Sequence, residues 1–371
     1  MLSVNRMSTV PHRRITPCST SRRLVGGTGL FVWITIVLTF AGPALRAADY
    51  AIGADLSFLK QAEGRGVVYR DGTRIRPGLE IFKDHGYNWI RLRLFHAPKQ
   101  LPNGLDYTIA LAQQARAQGF KFLLDLHYSD TWADPKQQTT PAAWTNQTHA
   151  QLQKTVCEYT RDTIRAFRAA GVLPDLVQVG NEITHGLLWP DGKLPEHWEN
   201  FADLLKAGID GVQAGCGTNA RPRIMIHIDR GGDPGGTKYF FDHLNAYGVP
   251  YDVIGQWYYP WWQGSLDSLR TNLNFMATNY QKDIVIVETA YCWRPTEYTK
   301  APGPFPETPQ GQREFYQAVN RLVRNTPTHR GIGLFWWEPA VGHGRLRDRG
   351  FFEDDGNALP IMNALGHPDE K

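Results

Sequence analysis

Two glutamates, Glu182 and Glu288, are the residues whose type and position could do chemistry together. Each closes a short apolar run of the kind that forms a buried strand, and Asn181 directly precedes Glu182. Splitting a glycosidic bond needs one carboxyl to protonate the leaving oxygen. It needs a second to attack the anomeric carbon or to activate water. A carboxamide beside the first carboxyl can bond the sugar 2-hydroxyl next to the reacting carbon. A single strand-end Glu would more simply pair with a nearby Arg or Lys, and Asn181 shifts the balance toward chemistry. For Asn181 and Glu182 both to reach one cleft, the chain must leave regular strand geometry there, because successive strand residues point to opposite faces.

The other candidate strand ends are also polar or aromatic. They supply Asp55, Arg91 and Arg93, Asp125 and His127, His227 and Asp229, Tyr258 and Tyr259, and Trp336 and Trp337. Such a ring suits a polar, ring-shaped ligand that stacks on indoles, which is a carbohydrate. His127 has two open readings, a sugar-hydroxyl ligand or a satisfied core histidine. One of Tyr258 and Tyr259 is expected to point inward and hold Glu288 by a phenol bond. Trp336 and Trp337 alternate across a strand, so one should face the mouth and the other the helices. Trp261, Trp262 and Trp293 are further stacking platforms or covers of apolar surface. His127, His227 and Asp229 fit no metal-ligand spacing, and neither metal nor cofactor is expected.

The elements that must position these residues alternate regularly. Strands are predicted at Ala51–Asp55, Trp89–Phe95, Lys121–His127, Leu176–Gly180, Arg223–Asp229, Val253–Tyr258, Ile284–Glu288 and Gly333–Trp337. Helical patterns lie between them at Leu105–Gln118, Gln151–Ala169, Trp198–Gln213, Leu266–Asn279 and Gln310–Asn325, with Gly119 and Gly171 as stops. A doubly wound nucleotide binder should show a glycine-rich turn after its first strand. Here that strand runs into Gly53-Ala54-Asp55-Leu56-Ser57. Eight units with polar strand ends predict a single-domain α/β chain, a (β/α)8 TIM barrel with its site at the C-terminal face.

Composition agrees. The chain has 371 residues, 42% hydrophobic and 20% charged, which excludes disorder and a multi-span membrane protein. Of its 40 basic residues, six arginines and no acidic residue fall in 1–47, so the formal charge of +4 belongs to that segment. The remainder is slightly acidic and gives no electrostatic case for nucleic acid. Residues 1–47 are expected to be an export signal. A basic stretch ends at Arg23, an apolar run spans Leu30–Phe40, and cleavage falls most simply after Ala47. Ser21-Arg22-Arg23 also loosely fits a twin-arginine signal. Residues 48–371 are then the catalytic domain, secreted or periplasmic, free of the membrane and monomeric. Cys157, Cys216 and Cys292 remain, an odd number, and Cys157 and Cys216 could pair. Asn146-Gln147-Thr148 is a glycosylation sequon of a kind common by chance.

Longer motifs are recognisable. Val177-Gln178-Val179-Gly180-Asn181-Glu182, with Gly186-Leu187-Leu188-Trp189-Pro190, resembles glycoside hydrolase family 53, the endo-β-1,4-galactanases. So do Leu124–Pro135, Asp252-Val253-Ile254-Gly255, Tyr258-Tyr259-Pro260, Val287-Glu288-Thr289-Ala290-Tyr291 and Asp355–Pro360. The resemblance implies a (β/α)8 barrel, a retaining mechanism and pectic galactan as substrate. It also implies Glu182 as acid/base and Glu288 as nucleophile. Arg93 has two readings, of which the first is preferred: it orients the nucleophile by a charge-assisted bond, or it neutralises buried carboxylates. Arg230 and Trp257 depart from the family pattern at the mouth, which bears on subsite preference. The Pro-rich loop Arg294–Thr308 is short, so no calcium site is expected. Two other functions stay open: the same machinery acting on xylan or mannan, and a catalytically dead carbohydrate-binding barrel.

Overall fold

The computed structural model describes residues 50–296, 303–342 and 344–365. The expected export signal, with its cleavage point after Ala47, and residues 297–302 of the Pro-rich loop lie outside the described residues. Eight parallel strands close into a barrel: β1 Ala51–Asp55, β2 Trp89–Leu94, β3 Lys121–Leu126, β4 Leu176–Val179, β5 Arg223–Ile228, β6 Val253–Tyr258, β7 Asp283–Thr289 and β8 Gly331–Trp336. Each strand pairs with its sequence neighbours, and β1 closes the ring on β8 with Ala51 opposite Gly333.

Helices fill the crossovers: α1 Gly78–Asp84, α2 Leu105–Ala117, α3 His149–Ala169, α4 Trp198–Cys216, α5 Pro234–Ala246, α6 Leu266–Tyr280 and α7 Pro309–Arg324. None among the described residues is long and apolar enough to cross a membrane. Their starts are encoded locally. Thr148 and Gln151 form a reciprocal capping box on α3, and Thr308 Oγ1 accepts the Gly311 N–H at 3.0 Å on α7. Two helices, α1 and α5, are absent from the periodicity reading. The first is short. The second opens Pro234-Gly235-Gly236, which resembles a turn, yet Pro suits a first helical position and Asp233 Oδ1 caps the Gly236 N–H at 2.9 Å.

Two layers fill the barrel. Ala51, Leu123, Leu176, Met225, Val253, Val285, Val287 and Phe335 form a buried apolar plug. Gly53 leaves room for it, since a Cβ there would stand 2.2 Å from the Phe335 ring. Further along their strands, Asp55, Arg91, Asp125, Gln178 and His227 make a second, polar layer, all 1% exposed or less. Strand alternation dictates that layer. An apolar floor lies beneath it and the mouth above.

Cys157, Cys216 and Cys292 are all free thiols, so Cys157 and Cys216, whose pairing the sequence left open, form no bridge. The backbone of Cys157 packs beside Gly211 on α4, more than a helical turn before Cys216.

Candidate active site

Glu182 and Glu288 arrive at the cleft by leaving regular geometry, each in its own way. After β4 the chain turns through Gly180, at φ +85°, and Glu182, at φ +50°, so that Asn181 and Glu182 both face the mouth. On β7 the pairing slips, with Gln256 opposite Ile286 but Trp257 opposite Glu288. Val287 is the extra residue of this bulge and keeps its place in the apolar plug, while Glu288 is turned inward behind it. A third irregularity follows β8, where Glu338 takes φ +49°.

The two carboxyls line a cleft of about 730 Å³ but sit in different surroundings. Glu288 Oε1 accepts from Arg91 Nη1 at 2.6 Å, and Glu288 Oε2 accepts from the Tyr259 hydroxyl at 3.4 Å. Among the described residues no cation contacts the Glu182 carboxyl, and the one hydrogen bond that carboxyl takes is long, 3.4 Å from Asn181 Nδ2. Burial, then the negative charges of Glu288 and Asp229, push the Glu182 carboxyl well above the usual range. Burial also pushes Glu288 up, but Arg91 works against the rise.

Arg91 organises the floor of the site. Besides Glu288 it donates to Asp55 Oδ2 at 2.9 Å, Asp125 Oδ2 at 2.8 Å and Asn181 Oδ1 at 2.8 Å. Asn181 Oδ1 also accepts from Gln178 Nε2 at 2.9 Å and His227 Nδ1 at 3.1 Å. The Arg91 guanidinium can only donate, and that settles which way the carboxamide points. Its Nδ2 is therefore held toward Ala133 O, at 2.9 Å, and toward Glu182. Burial, followed by the Arg91 charge, keeps His227 well below its ordinary pKa and hence neutral. Burial alone would raise Asp125, but Arg91 and His127 outweigh it and hold it down at about 2.

Other expected residues fall on both sides of the site boundary. Arg93 does not reach Glu288. It binds Asp55 Oδ1 at 2.9 Å and Glu338, and its guanidinium sits 4.9 Å from the Phe58 ring and 4.6 Å from Trp132. Arg91 and Arg93 share a strand face, and only the deeper one meets the bulged β7. His127 lines the cleft, but both ring nitrogens are engaged, Nε2 with Asp125 at 3.0 Å and Nδ1 with the Ala133 N–H at 3.2 Å. Asp125 and His227 lie beneath the cleft surface, fully buried. Asp229 lines it, accepting from Thr184 and, at 3.3 Å, from Arg230.

Of the tyrosine pair, Tyr259 is the inward one. Tyr258, expected among the sugar ligands, points outward and donates to Gly264 O at 2.9 Å. Of the tryptophan pair, Trp337 lines the cleft. Trp336 is buried between barrel and helices against Tyr316 and Phe351, with Nε1 on Arg349 O at 2.8 Å. Trp262 joins Trp257 and Tyr259 as one aromatic wall, whereas Trp261 stacks on Tyr291 and Trp293 lies under Arg294. Residues not singled out from sequence include Gln178, Gln138 and Trp132. Gln138 Nε2 bonds the carbonyl of Asn181 at 2.8 Å. The Asp-Thr-Trp-Ala-Asp loop after β3 was the available signal for Trp132.

A closed barrel that carries two carboxyls at its mouth, one beside a cation and one without, inside an aromatic-walled cleft, defines the class of barrel glycoside hydrolases. Within that class the chain belongs to Glycosyl hydrolase family 53, whose pattern matches residues 51–365. It is 41% identical over 353 residues to an uncharacterized protein of Niallia circulans, covering 86% of this chain and 94% of that one. It is 36% identical over 332 residues to an arabinogalactan endo-β-1,4-galactanase of Humicola insolens, covering 84% and 98%. A solved fungal β-1,4-galactanase superposes with a TM-score of 0.80 at 33% identity, covering 85% of this chain and 98% of that one.

Proposed function

We propose that the protein is an endo-β-1,4-galactanase that cleaves the galactan chains of type I arabinogalactan with retention of configuration. Glu182 is the acid/base and Glu288 the nucleophile. The observation that carries this division is the asymmetry of the pair. Glu288 is clamped by Arg91 and Tyr259 in the orientation and charge state that attack requires. Glu182, raised by burial and by Glu288, holds a proton for the leaving oxygen. Asn181 Nδ2, held beside Glu182, exchanges its long 3.4 Å contact with that carboxyl for the sugar 2-hydroxyl. Trp337 on one side of the carboxyl pair and the Trp257–Trp262 wall on the other grip the chain on both sides of the cut, which supports endo action.

Named galactanase relatives support the substrate, and the leader supports export to the exterior or periplasm after cleavage near Ala47. A panel of β-1,4-galactan, xylan and mannan, read by product size, tests the substrate. Galactan should lose viscosity well before much reducing sugar appears. Galactose released alone from the outset, or preference for xylan or mannan, overturns the assignment. Proton NMR of the first product should show the β-anomer; an initial α-anomer overturns retention.

A further inference from the structure

Among the described residues only three Phe, Tyr or Trp side chains are exposed: Trp262 in the cleft, and Tyr239 and Tyr247 on the outer face at α5. Tyr239, His243 and Tyr247 follow one another at four-residue steps. That puts Tyr239 and His243 on one face of α5, about 6 Å apart along its axis, with Tyr247, the residue that caps the helix, next in line. The row is not loose surface. All three rings close on Trp198 of α4, which is itself 8% exposed. Tyr247 lies parallel to that indole at 6.2 Å and 8°, and His243 at 4.8 Å and 18°. The Trp198 indole N–H donates to the Tyr239 hydroxyl at 3.5 Å.

The row also has polar edges. His243 Nδ1 donates to Tyr239 O at 2.7 Å, which fixes the ring and leaves Nε2 as an unengaged acceptor. Among the described residues the Tyr247 hydroxyl meets no hydrogen-bond partner, and the flanking Lys238 and Asp242 neutralise each other. Rigid rings with open hydroxyl and imidazole groups, beside a Lys–Asp pair that cancels its own charge, match one chemistry well. A pyranose offers C–H groups to an aromatic face and hydroxyls to its edge. The rings are already ordered, so little freedom is lost on binding.

We propose that Tyr239, His243 and Tyr247 form a second carbohydrate site, separate from the cleft, that holds a neutral polysaccharide chain. Its occupant is the galactan on which the enzyme acts, the ligand being named on the strength of the galactanase reading. The site tethers the enzyme to polymer and takes no part in bond cleavage.

The test uses the full chain with Glu288→Ala, so that the polymer is not digested, run through native gels containing β-1,4-galactan. Adding Tyr239→Ala and Tyr247→Ala should weaken retention about fivefold, while Tyr247→Phe, which keeps the ring, should retain most of it. With Glu288 intact, the double Tyr variant should hydrolyse short galacto-oligosaccharides at the parent rate and insoluble galactan more slowly. Unchanged retention overturns the proposal. So does a dimer in gel filtration that the Tyr substitutions dissociate, because the face is then a contact between copies. An intact chain that cleaves no galacto-oligosaccharide overturns the galactanase assignment instead, and the gel comparison is then read on xylan and mannan.

Discussion

Arg91 Nη1 lies 2.6 Å from Glu288 Oε1, and the same guanidinium also holds Asp55, Asp125 and Asn181. One buried cation thereby fixes the nucleophile and the carboxamide that sits beside the acid. Arg91→Lys keeps the charge but loses the planar fork. It should cut kcat/KM by about a hundredfold and cost about 3 kcal/mol of stability, since it leaves buried carboxylates poorly paired. With less support for its charge, Glu288 should titrate higher, moving the acid limb of the kcat/KM profile upward in pH. A profile that does not move removes Arg91 from the role assigned to it.

The division between the two glutamates is separable by leaving group. Glu182→Ala should lose most galactan hydrolysis yet still form the glycosyl-enzyme from an activated aryl galactoside, which needs little protonation. Azide should then accelerate turnover, because a small anion attacks without a general base. Glu288→Ala should be inactive on both substrates. The opposite pattern exchanges the roles.

Stability should carry the signature of Glu182. Its folded pKa lies well above the ordinary value of 4.5, so the unfolded chain releases this proton first as pH rises. Stability contributed at low pH is therefore lost above about pH 4.5, at about 1.4 kcal/mol per pH unit until the folded group also titrates. Glu182→Gln should melt higher than the parent at pH 7, and the two should converge toward pH 4. Parallel melting curves across that window contradict the shift.

Asp125 should act in the other direction. Held at about 2, against an ordinary 3.8, it supplies about 2 kcal/mol that is present above pH 3.8 and fades as pH falls through about 2. Asp125→Asn should lower the melting temperature at pH 6, and the deficit should shrink in acid.

Adjacent tryptophans should separate by phenotype. Trp336→Ala opens a cavity between barrel and helices and should cost about 3–5 kcal/mol with KM unchanged. Trp337→Ala removes a cleft wall and should raise KM on galactan about three- to tenfold with little loss of stability. Melting curves and initial rates on the same preparations check both.

The sequence by itself determined the barrel and the chemical pair. Strand alternation and strand-end polarity are local properties, so the eight strands lay within a residue or two of their predicted ends, and Glu182 and Glu288 stood at two of them. The need for Asn181 and Glu182 to leave strand geometry was also legible, because two neighbours cannot share a face on a regular strand. What the tertiary structure decided is which residue meets which. Arg91 and Arg93 have the same type and the same strand face, and only the depth of the β7 bulge selects Arg91 as the partner of Glu288. Alternation said that one of Tyr258 and Tyr259, and one of Trp336 and Trp337, would face the mouth, but choosing between them requires the register where β6 slips past β7 and where β8 ends. Asp125 and His227 looked like ligands because strand-end polar residues often are. They lie beneath the cleft because Arg91, buried above the apolar plug, needs carboxylates and amides around it, a demand that no stretch of sequence near either residue expresses.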